Sequence, residues 1–132
     1  MSADRAYLDS SAFVKLASTE VESEALQRYL RGWLRWVSSA LLQVEVLRAL
    51  RPLGPDTVAA AREQLEGVEL IAIDNLVLER AATISPGVLR SLDAIHLATA
   101  QQLGTDLGVL VTYDHRLAQA AAELGLPVAA PA

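Results

Sequence analysis

The sequence predicts an α/β protein, a three-layer sandwich in which helices flank a central parallel sheet, and three observations predict it. Short β-rich runs alternate with helical periods along the chain, the order that builds parallel sheets. Val109-Leu110-Val111-Thr112 is a continuous apolar strand of the kind covered on both faces. Alanine and leucine supply 23 residues each while aromatics make up 5%, a balance that favours closely packed helices over an all-β sandwich.

Taken in order, Ala6-Tyr7-Leu8 reads as a strand running into Asp9-Ser10-Ser11, a polar turn able to cap a helix from Ala12 to Ala17. A helix with Leu26, Leu30 and Trp33 on one side is expected over Val21 to Leu34, then a second strand at Trp36-Val37 leading to Ser38-Ser39. The next helix, Ala40 to Leu50, stops at Pro52-Leu53-Gly54-Pro55, which holds both helix-breaking residue types, and another runs from Asp56 to Glu66 before Gly67. Val68 to Ile73 is β-rich, Asn75 to Thr83 helical, and Ser85-Pro86-Gly87 a turn. Helix Leu92 to Leu103 precedes the strand that Gly108 opens; Tyr113-Asp114 then leads into a helix to Leu124, with Pro127-Val128-Ala129 as an edge strand.

Length and composition bound the chemistry. A chain of 132 residues that is 52% apolar suits a single domain spanning 1–132, without repeats or linkers. There is no cysteine, which excludes disulfides, thiolate zinc sites and a Cys nucleophile. Lys15 is the sole lysine among eleven basic residues, so lysine-dependent phosphate chemistry and a P-loop are excluded as well. Neither a membrane span nor a leader segment is expected.

The remaining chemistry belongs to acids. In an open parallel sheet ligands gather beyond the carboxyl ends of the strands, where Asp9 and Asp114 fall; each could equally cap the helix it precedes. Glu45 sits among Leu41, Leu42 and Ala49 at helical spacing, so its charge needs compensation, either from Arg48 or from a metal. Asp93 lies in a helix's first turn, where the dipole favours an acid, with His96 one turn along and the small Ala100 beyond, leaving an accessible polar strip. His96 reads more readily as a hydrogen-bonded structural histidine than as a ligand, and His115 as solvated. Hard oxygen donors would prefer magnesium or manganese to zinc. Arg28, Arg31 and Arg35 form either a basic stripe for phosphates or a solvated helix face, and the nearby Leu30, Trp33, Leu34 and Trp36 suggest a dimer or partner surface.

Four segments carry a resemblance: Tyr7-Leu8-Asp9-Ser10-Ser11-Ala12, Leu42-Gln43-Val44-Glu45-Val46, Asp93-Ala94-Ile95-His96-Leu97-Ala98 and Val111-Thr112-Tyr113-Asp114. In that order and spacing the chain resembles PIN domains, and among them the VapC ribonuclease toxins of toxin-antitoxin pairs. The resemblance implies that Asp9, Glu45, Asp93 and Asp114 form a catalytic cluster holding one or two Mg2+ or Mn2+ ions, with Ser11 and Thr112 as polar neighbours. It implies hydrolysis of RNA by a metal-activated water and restraint by a cognate antitoxin; the apolar surface makes a homodimer the expectation, and the composition a cytoplasmic protein away from membranes. The pattern departs at Arg116, where many relatives carry another acid; this bears on a second ion, and the arginine could assist at the substrate phosphate.

Charge agrees with a metal requirement. The chain's net charge is -5, and without the four acids it is -1. Four ionised carboxylates would repel a phosphodiester unless divalent ions neutralise them. A phosphoacceptor receiver domain needs a lysine after a late strand, and a haloacid-dehalogenase phosphatase an Asp-x-Asp after the first; neither is present. The alternative from another class is a catalytically silent PIN-like binding or scaffold module.

Overall fold

The computed structural model describes residues 3–84 and 89–132. The turn expected at Ser85-Pro86-Gly87 lies outside them. Strands β1 (Arg5–Leu8), β2 (Arg35–Ser39), β3 (Glu69–Ile71), β4 (Leu107–Val111) and β5 (Val128–Ala129) form one sheet in the order β3-β2-β1-β4-β5, every pair parallel. Between them run α1 (Ser10–Ala17), α2 (Ser23–Leu30), α3 (Leu42–Leu50), α4 (Pro55–Leu65), α5 (Asn75–Thr83), α6 (Ser91–Gln102) and α7 (His115–Glu123).

Alternation along the central strands sorts the helices onto two faces. Ala6 and Leu8 of β1, with Val109 and Val111 of β4, pack against Phe13, Leu26, Leu42 and Leu65 from α1 to α4. On the opposite face Tyr7 and Leu110 meet Leu97 of α6 and Leu117 of α7. Val109 to Thr112 is buried throughout, as its unbroken apolar run requires. Each fully buried leucine contributes about 2 kcal/mol of transfer free energy, so two such faces hold the sheet.

The second helix is shorter than the Val21 to Leu34 expected. Ser23 opens α2 by donating its hydroxyl to the Lys15 carbonyl at 2.6 Å, which leaves Val21 outside and solvent-exposed. The helix ends at Leu30, and the Gly32 and Trp33 amides close turns onto Tyr29 and Leu30. Trp33 then crosses to β4, where a Cβ on Gly108 would stand 2.2 Å from its ring and 2.4 Å from the Ala3 carbonyl oxygen. Only glycine permits that approach. Among the described residues no helix is long and apolar enough to cross a membrane.

Candidate active site

Because the strands are parallel, β1, β2 and β4 end on one edge of the sheet, and the four acids come from the helix N-termini next to it. Asp9 caps α1, Glu45 and Asp93 lie in the first turns of α3 and α6, and Asp114 caps α7. Each acid thus meets the positive end of a helix dipole. Capping, an alternative for Asp9 and Asp114, is what their backbone contacts show, and it coexists with their place at the edge: Asp9 accepts from the Ala12 amide at 3.0 Å, and Asp114 from the Arg116 and Leu117 amides at 2.9 and 3.1 Å.

Asp9 is the most enclosed of the four. Its Oδ1 also accepts from the Ser11 hydroxyl at 2.7 Å and its Oδ2 from the Thr112 hydroxyl at 2.6 Å. Thr112 in turn accepts from the Asp114 amide at 3.1 Å, and Ser11 from the Tyr113 amide at 2.9 Å, tying the ends of β1 and β4 together. Burial pushes the Asp9 carboxyl up, and hydrogen bonds from Thr112, Ser11 and Ala12 oppose this. Asp93 is also raised, first by burial and then by the negative charges of Asp114, Asp9 and Glu45, with His96 acting the other way. The four carboxylates therefore share one electrostatic field.

Glu45 does not pair with Arg48. Its Oε1 meets His96 Nε2 at 2.5 Å, and Arg48 is exposed. The preference for His96 as a hydrogen-bonded histidine agrees with this geometry, but the accessible strip does not exist: His96 and Ala100 are both buried. The other ring nitrogen, Nδ1, lies 2.7 Å from the hydroxyl of Tyr7, a residue the motifs did not single out as a member of the site. Its signal is a tyrosine in a buried strand, whose hydroxyl must find a partner there. His115 and Arg116 are exposed in the first turn of α7.

The basic stripe is not one. Arg28 pairs with Glu24 and Arg35 with Glu69, and because α2 stops at Leu30 the three arginines do not share a helix. Arg31 and Arg35 border a groove with Trp33, Leu34 and Trp36 at the start of β2, on the sheet edge opposite the acids. Leu30 is fully buried, Trp33 and Trp36 are half-buried, and Leu34 alone of these apolar residues is largely exposed.

Two hollows flank Tyr113 at the acidic edge. One, of about 380 Å³, is bordered by Ser11 and Glu45, and the other, of about 350 Å³, by Thr112 and Asp114. Lys15 reaches both, its ammonium 4.9 Å from the Tyr113 ring centre and tied to Glu22 at 2.8 Å and Glu20 at 3.2 Å.

The PIN domain family matches residues 6–123. Ribonuclease VapC46 of Mycobacterium tuberculosis is 54% identical over 125 residues, with 95% of this chain and 96% of the relative covered. The chain belongs to the PIN-domain family, among the VapC ribonucleases. Ribonuclease VapC35 of the same organism is 48% identical over 129 residues, again covering 95% and 96%. Among solved structures, a toxin-antitoxin complex from Klebsiella pneumoniae aligns with a TM-score of 0.73 at 25% identity, covering 96% of this chain and 98% of that one. Mycobacterium tuberculosis VapC20, described as a sarcin-ricin loop cleaving toxin, aligns at 0.74 over 92% and 95%; at 15% identity it attests the VapC fold.

Donor chemistry at the VapC site suits a hard divalent ion. Glu45 commits only Oε1 to a protein donor and Asp114 only Oδ1, leaving an oxygen of each uncommitted among the described residues. Carboxylate oxygens are the donors magnesium and manganese prefer. Among the described residues no three Asp, Glu or His side chains are already gathered closely enough to hold an ion between them.

Proposed function

We propose that Asp9, Glu45, Asp93 and Asp114 form the divalent-metal centre through which this VapC-type endoribonuclease toxin hydrolyses RNA. The observation that supports it is the convergence of the four acids at one sheet edge, where Asp93 is pushed up by burial and, after that, by the charges of the other three. Mg2+ or Mn2+, as one or two ions, would be held by these carboxylates and would supply activation of water and compensation of phosphate charge. The rest is done by the chain itself. Ser11, Thr112 and the Ala12 amide fix both oxygens of Asp9, so this carboxylate is aimed before substrate arrives. Asp114 is fixed through the α7 amides with one oxygen turned elsewhere. Arg116, exposed beside Asp114, contributes a fixed positive charge to an RNA phosphate.

A cognate antitoxin as restraining partner, a cytoplasmic setting and assembly as a homodimer complete the proposal. Half-exposed Leu76, Leu78 and Leu92, on the mutually packed α5 and α6, supply apolar surface for a second copy, and sedimentation of the free chain tests it. The deciding experiment is cleavage of a broad RNA pool by protein freed of antitoxin. Chelation should stop it and Mg2+ or Mn2+ restore it. Asp9→Asn and Asp114→Asn should each lower the rate by about 100-fold or more, the equivalent of about 3 kcal/mol of transition-state stabilisation. Wild-type rates in both variants would place the chemistry elsewhere, and no cleavage with either ion would return the chain to the binding-module alternative.

A further inference from the structure

Tyr7, His96 and Glu45 form a continuous polar chain running from the fully buried middle of β1 to the acidic edge. Tyr7 and His96 are essentially inaccessible to solvent, and their rings also meet edge to face, 5.8 Å between centres. Polar groups buried in this way cost free energy unless every one is satisfied, and an apolar pair of similar volume would fill the same space between β1 and α6 without that demand. The arrangement therefore has an asymmetric result: its only partly exposed end is Glu45, whose carboxylate takes no other protein hydrogen bond among the described residues.

We propose that Tyr7 and His96 are positioning residues that hold the Glu45 carboxylate in the orientation in which it binds a divalent ion. The proposal rests on the metal-centre reading given above. Tyr7 is fully buried, and its hydroxyl lies 2.7 Å from Nδ1 of His96, so the ring is held from the side away from Glu45. A carboxylate oxygen only accepts, so Nε2 carries a proton and donates to Oε1 of Glu45, while the Tyr7 hydroxyl satisfies Nδ1 and fixes the plane of the ring. A glutamate has three side-chain torsions to fix, and this one charge-assisted contact fixes the end of the side chain while leaving Oε2 for the ion. Helix α6 thereby supplies both Asp93, as an acid of the cluster, and the clamp on Glu45, three residues and almost one turn apart.

The test is calorimetric binding of Mn2+ to metal-free protein, with thermal melting of each variant alongside. His96→Leu should weaken Mn2+ binding by about 10- to 100-fold, the usual effect of removing an outer partner of a ligand, without a matching loss of folded structure. His96→Gln, whose amide N–H can reach the same oxygen, should recover most of the affinity; Tyr7→Phe should show a smaller loss in the same direction. A merely structural histidine would lower the melting temperature in both His96 variants and leave the affinity of the folded protein unchanged. Wild-type affinity in folded His96→Leu, or in folded Tyr7→Phe should His96→Leu fail to fold, overturns the proposal. Glu45→Gln separates the two ideas. If it weakens Mn2+ binding while the His96 and Tyr7 variants do not, positioning alone fails; if it too binds as wild type, Glu45 is no ligand and the metal-centre reading fails with it.

Discussion

Asp9 is a buried acid in which burial outweighs the hydrogen bonds it accepts from Thr112, Ser11 and Ala12, and that makes the metal-free fold sensitive to pH. Its carboxyl and that of Asp93 are raised above the ordinary Asp value of 3.8, chiefly by burial. Around Asp93 stand Asp114, Asp9, His96 and Glu45. A carboxyl raised on folding binds its proton more tightly in the native state, so its contribution to stability is complete below 3.8 and is lost as pH rises through the folded-state value. Metal-free protein should therefore lose stability from these two groups as pH rises above 3.8. Urea unfolding across that range should show a shallower loss in Asp9→Asn than in wild type; parallel profiles would mean that Asp9 titrates normally. This scale also shows what local spacing conceals. Arg48 stands one helical turn from Glu45 and is the obvious counter-charge in the sequence, yet the partner is His96, 51 residues along the chain. Asp9 and Asp114 stand out locally because each follows a strand and precedes a helix, whereas Glu45 and Asp93 join them only through the family resemblance; the hydrogen bonds that orient these side chains are not local features.

At the scale of elements, the strands were legible wherever an apolar run was unbroken, since burial on both faces leaves no room for a polar residue. The end of α2 was not. Leu26, Leu30 and Trp33 have helical spacing, but Trp33 is held by Gly108 on β4, and this contact between distant segments outweighs continuation of the helix. The same contact moves Trp33 from a prospective partner surface into the packing of the sheet. Gly108→Ala should destabilise the protein by about 1–3 kcal/mol, because the new methyl must displace both the indole and the Ala3 carbonyl. A urea midpoint equal to wild type would show that Trp33 can swing away at no cost.

For the whole molecule, charge is distributed unevenly. Most of the net -5 resides in the four edge acids, while two arginines of the supposed stripe are occupied by Glu24 and Glu69. On the metal-centre proposal, ions held at the edge would offset this charge toward RNA, with exposed arginines such as Arg116 adding local positive charge. Arg116→Ala should weaken RNA binding across sequences and reduce the salt dependence of affinity by about one counterion's worth, read as the slope of log affinity against log salt. An unchanged slope would remove Arg116 from the phosphate contacts.

The short β5 strand has a practical consequence. It carries the end of the chain back along β4, and the Tyr113 hydroxyl donates to the Pro131 carbonyl at 2.7 Å, so Ala130 and Ala132 border the hollow beside Thr112 and Asp114. An affinity tag fused after Ala132 would leave the protein at the rim of the acidic edge, where a histidine tag would also offer competing ligands to any added metal. Ala3, by contrast, rests beside Trp33 and Gly108 at the far edge of the sheet, and a purification handle ahead of it keeps clear of the chemistry.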